Sequence, residues 1–73
     1  MAAFLHLVGH NDPSRAVAVI AGQLAAGDAV TVAVVGPAAL SWPPGSAVRR
    51  VPGDLTWAEL LDLVLTADQT FSW

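Results

Sequence analysis

Residues 3–35 read AFLHLVGHNDPSRAVAVIAGQLAAGDAVTVAVV, two short apolar runs with a helical pattern between them. AFLHLV, residues 3–8, holds aromatic and branched residues and stops at Gly9, as a strand does. Asp12 is a good N-cap, and Pro13 suits the first helical position. Val17, Ile20 and Leu24 then recur at helical spacing through residues 13–26. Gly27 closes that helix as a C′ residue. Gly22 inside it is a weak spot, worth about 1 kcal/mol against alanine. AVTVAVV, residues 29–35, is almost wholly apolar and β-branched, the pattern of a strand covered on both faces. Strand, helix and strand in quick succession predict a βαβ unit, parallel and right-handed.

The connection GPAALSWPPG, residues 36–45, is rich in turn residues, with room for one short helical turn. AVRRV, residues 47–51, reads as a third strand. Its consecutive arginines, Arg49 and Arg50, point one to each face, which suits an edge. Thr56 and Glu59 match the Thr-x-x-Glu capping box, and Leu55 with Leu60 matches the hydrophobic staple. Trp57, Leu60, Leu61, Val64 and Leu65 follow as one apolar face of a helix over about residues 57–67. The last residues, DQTFSW, lie beyond it. The expected architecture is one α/β domain over residues 1–73. Its small, mainly parallel sheet has three strands with room for a short fourth, and helices flank it.

Composition narrows the function. A chain of 73 residues buries only about 60 % of the surface its unfolded form exposes, so its stability is marginal. Small domains lean on disulfides, metals or oligomerisation. There is no cysteine, which removes disulfides, thiolate chemistry and cysteine-bound metal together. Only 12 % of residues are charged and 55 % are hydrophobic, so an apolar patch covered by a partner is expected. Net charge is −3 and the only basic residues are Arg15, Arg49 and Arg50. That argues against nucleic acid as a direct ligand. No apolar run approaches the roughly 20 residues of a membrane span. The opening residues lack the basic region of a signal peptide, so a cytoplasmic protein is expected.

Candidate sites are few. His6 and His10 stand four apart, but along a strand that is about 13 Å, too far to share a metal. No metal site and no cofactor are expected, and His6 reads as a satisfied histidine in or beside the sheet. GHNDPSR, residues 9–15, joins a strand end to a helix start, where ligands gather in open α/β sheets. His10, Asn11, Ser14 and Arg15 can supply donors to an anion there. With a single glycine and no Lys-Ser/Thr pair it is no phosphate loop, and a plain capped helix start is the favoured reading. Were the chain an enzyme, His10 would be its acid or base and Arg15 its anion holder. Asp54, Glu59, Asp62 and Asp68 read as caps and a solvated face, not as an acid/base pair. Trp42 in LSWPPG, with Phe71 and Trp73, places three large aromatics outside the expected elements. Each either fills its own core or meets a partner.

These features have a familiar arrangement. GDLTWAELLDLVLTADQTFSW resembles the C-terminal end of the TusB/DsrH family, the smallest subunits of sulfur-relay assemblies. The match lies in Leu60, Leu61 and Leu63 of the helix, the polar stretch from Ala67 to Thr70, and the terminal Trp73. FLHLVGHNDPSR and its continuation are similar to the family's opening strand with His6, its first helix, and the Gly27-Asp28 turn into the second strand. The chain is shorter than is usual for the family, in the segment before the last strand. Some members carry a cysteine able to hold a persulfide, and this chain has none. The resemblance therefore implies a non-catalytic structural subunit, serving tRNA thiolation or sulfur oxidation. Its implied partners are cysteine-bearing DsrE/TusD-like and DsrF/TusC-like subunits, met through Trp42, Phe71 and Trp73. Two other expectations stand beside it: a stand-alone anion- or small-ligand-binding domain using the loop after the first strand, and a self-associating domain with no relay role.

Overall fold

The computed structural model describes residues 1–9, 13–36 and 41–73. Four strands and two helices follow in the order β1 (Ala3–Val8), α1 (Ser14–Ala25), β2 (Ala29–Val35), β3 (Ala47–Val51), α2 (Trp57–Thr66) and β4 (Gln69–Ser72). The strands form one sheet in the order β3-β2-β1-β4. Every pairing is parallel, β1 matching Ala3 to Ala29 of β2 and Phe4 to Gln69 of β4. The small α/β fold is as the sequence predicts, with β1 and β2 central and the arginine strand β3 at one edge.

The alternation of side chains along each strand divides the core into two layers. Val8, Val30, Val32 and Val34 pack with Ala16 and Ile20 of α1. Leu5, Ala33 and Val51 pack with Leu60 of α2 on the other face. β2 is near-continuously apolar because it is covered from both sides, as parallel central strands are.

The helix ends follow local chemistry. α1 begins one residue later than its pattern suggests, with Pro13 in the N-cap position; the Asp12 cap lies outside the described residues. Its C-terminus is a Schellman motif. Asp28 N–H donates to Gln23 O at 3.1 Å and Gly27 N–H to Leu24 O at 3.0 Å, with Gly27 at φ +86°. α2 carries the full capping box: Glu59 N–H donates to Thr56 Oγ1 at 3.1 Å, and Thr56 N–H to Glu59 Oε1 at 2.9 Å. Hydrogen bonding of the Glu59 carboxyl to Thr56, chiefly to its backbone N–H and then to its side chain, holds that carboxyl below its ordinary pKa. Leu55 and Leu60, the expected staple, sit in the same cluster.

Two expectations are refined. The apolar face read on α2 is split. Leu60, Leu63 and Val64 turn inward, whereas Trp57, Leu61 and Leu65 are 56, 57 and 72 % exposed. The tail after α2 is a strand, and its polar residues are structural. Asp68 Oδ2 accepts the Ala3 N–H at 2.7 Å, while Asp68 N–H donates to Ala3 O at 2.8 Å. On the other flank of β1, Asp28 Oδ1 accepts the Ala2 N–H at 3.0 Å. Two aspartates thus clamp the entry of the central strand to both of its neighbours.

Candidate functional site

The strand order fixes where a site belongs. The chain steps from β1 outward to β2 and β3, then crosses to the opposite flank of β1 to lay down β4. The order reverses between β1 and β4. In open α/β sheets the crevice at the C-terminal ends of such a strand pair is the customary ligand position. Here that place is occupied by the tail.

His6 is at the centre of it. It lies mid-strand in β1 and is 0 % exposed, the sole buried polar side chain among the described residues. Parallel register sets it beside Phe71, and the two rings stack at 4.8 Å with 12° between planes. Phe71 also meets Phe4 edge to face at 5.9 Å. Trp73 Nε1 donates to His6 Nδ1 at 2.9 Å, and the Trp73 backbone N–H donates to Leu7 O at 2.9 Å. On its other side, His6 Nε2 lies 2.7 Å from Gln23 Oε1 of α1.

These partners define the state of the imidazole. An indole N–H only donates, so Nδ1 must offer its lone pair. The proton is then on Nε2, pointing at the Gln23 carbonyl oxygen, and His6 is neutral. Its pKa lies below the ordinary value because burial disfavours the cation; the Gln23 hydrogen bond opposes this in part. Both nitrogens are engaged and no face reaches solvent. The group joins the tail to β1 and α1.

The expected site residues separate accordingly. Phe71 of β4 and Trp73, the residue just after it, come together against His6, so the tail docks on its own sheet. Both residues remain half-buried. Trp42, also half-buried, packs on the α1-side core with Trp73. The Trp42 Nε1 is buried with no hydrogen-bond partner among the described residues. Ser14 and Arg15 are exposed in the first turn of α1, while His10 and Asn11 lie outside the described residues. Among the described residues no group of three histidine or carboxylate side chains is placed to hold a metal ion. Among the described residues no helix is long and apolar enough to cross a membrane. A cavity of about 90 Å³ opens at the opposite, N-terminal end of the strands, lined by Leu5, Thr31, Leu63 and Thr66 among others. It holds no titratable group.

Sequence reading missed Gln23. Its place one turn before the Gly27 cap marks it as a surface helix residue, and only the packing of α1 over β1 turns it toward His6. Comparison of the chain with protein-family models, curated proteins and solved structures returned no match.

Proposed function

We propose that the chain is a non-catalytic subunit of a sulfur-relay hetero-oligomer of the TusB/DsrH kind. It supports persulfide transfer for tRNA 2-thiouridine formation or for sulfur oxidation. Its partners are cysteine-bearing DsrE/TusD-like and DsrF/TusC-like subunits, which carry the thiol that this chain lacks. The observation that supports the reading most is the Trp73 to His6 hydrogen bond. The two most distant elements of the resemblance, the histidine of the first strand and the aromatic end, are joined in one contact 67 residues apart. The half-buried residues Trp42, Phe71 and Trp73 are the ones such partners would cover.

The test is genetic and chemical. Cells lacking this chain should lose tRNA 2-thiouridine or growth on reduced sulfur compounds, and the cysteine-free chain should restore it. Normal levels of both in its absence would contradict the proposal. A second reading, an anion-binding domain, has the β1/β4 reversal in its favour, with Ser14 and Arg15 at the nearby helix start. A ligand that prefers the folded state must raise the melting temperature. A panel of phosphate, sulfate and nucleotides that leaves it unchanged removes that reading.

A further inference from the structure

The chain after α2 is fastened to the sheet largely through one side chain. β4 is an edge strand that pairs with β1 alone. Gln69, Thr70 and Ser72 are exposed, and no residue of β4 is fully buried or belongs to either core layer. The side chains that attach this segment converge on the His6 imidazole. Phe71 stacks on that ring at 4.8 Å. Trp73 lies nearly parallel to it at 6.1 Å and donates from Nε1 to its Nδ1 at 2.9 Å.

That bond works in one protonation state only. An indole can only donate, so a proton on Nδ1 sets donor against donor. Nε2 keeps Gln23 Oε1, 2.7 Å away, as its acceptor in either state, and the loss falls on Trp73. The charge would also sit on a residue with no exposure, and burial already lowers the His6 pKa. The neighbours set against His6 are Val32 of β2, Phe71 of β4, Gln23 of α1 and Trp73. None of them titrates or carries a charge. Asp68, the carboxylate just before β4, binds the Ala3 N–H instead.

We propose that β4 with Trp73 is an acid-released strap: a proton on His6 Nδ1 frees it from β1 while β1, β2, β3 and both helices stay folded. Release exposes the imidazole to water, so the open form takes up the proton that the docked form excludes. The docked form is therefore favoured above the ordinary histidine pKa of about 6.5 and loses ground below it. With one proton linked, the open fraction rises by up to about tenfold per pH unit in that range. Release bares the flank of β1 and the crevice at the β1/β4 reversal, which the tail fills at neutral pH. The device does not rest on the relay reading, since it needs no partner subunit.

The experiment is amide hydrogen exchange of the purified chain, read residue by residue and corrected for intrinsic exchange, from neutral pH to about pH 5. That range ends above the ordinary carboxylate pKa values of about 4. Protection of β4 and of the Trp73 N–H, which is bonded to Leu7 O, should fall by up to about tenfold per pH unit below about pH 6.5. The amides of β2 should keep their protection. Trp73→Phe keeps a ring without the N–H and should flatten the dependence, and His6→Gln should abolish it. His10 is the other histidine of the chain, and His10→Gln should leave the dependence unchanged. The wild-type profile decides even where His6→Gln fails to fold. Protection of β4 that ignores pH, that falls only together with that of β2, that is unaltered in Trp73→Phe or that loses its dependence in His10→Gln would overturn the proposal.

Discussion

His6 is neutral because Trp73 can only donate to it. Protonation of Nδ1 would set donor against donor and place a charge in an apolar layer. The sign of the pH dependence follows. The folded pKa lies below the ordinary 6.5, so the unfolded chain binds more protons between the two values. His6 therefore contributes stability that is fully present above about pH 6.5 and is lost as pH falls toward the folded pKa. Denaturant midpoints measured from neutral pH to pH 5 should fall with pH, and His6→Gln should flatten that stretch of the curve. A wild-type midpoint that rises on acidification contradicts the assignment. Trp73→Phe keeps a ring but removes the N–H. It leaves Nδ1 buried without a partner, at a cost of about 1–3 kcal/mol, readable in the same titration. The satisfied state of His6 was legible from its place in an apolar strand. Its partners were not, because Gln23 and Trp73 lie 17 and 67 residues away in sequence.

The elements are set by local signals where those signals are strong. The Thr56-x-x-Glu59 pattern and the Gly27 end could be read directly, because a cap is made by neighbours in sequence. Thr56→Ala should cost about 1 kcal/mol, and a loss below a few tenths would mean the box contributes nothing. Gly22 offers the converse case. It lies within α1, and a Cβ built there meets nothing within 4 Å. Gly22→Ala should therefore stabilise the protein by about 1 kcal/mol, as a higher denaturant midpoint; destabilisation would show that the position serves a contact. β4 and the exposed half of α2 were beyond local reading. Periodicity marks a wide apolar stripe on α2 without telling which half the sheet covers. QTFS becomes a strand because the flank of β1 has unpaired backbone groups to satisfy, which is a tertiary cause.

At the scale of the molecule, one small sheet is covered by one helix on each face. Ile20 is fully buried at the centre of the α1 layer. Ile20→Ala should cost about 2–5 kcal/mol, a large share of the roughly 0.05–0.15 kcal/mol per residue that holds such a domain together. A folded variant with an unchanged midpoint would contradict the packing described. So small a core leaves apolar surface over, in the half-buried aromatics at the β1/β4 end and in the α2 stripe. On the proposed relay reading, in which a partner carries the thiol, binding is the work this surface would do. The most direct measurement is the native mass of the complex formed when this chain is co-expressed with cysteine-bearing DsrE/TusD-like and DsrF/TusC-like subunits. The account predicts a stable species containing this chain and at least one of them, weakened by Trp42→Ala or Phe71→Ala. A species containing this chain alone, as monomer or dimer, would contradict it.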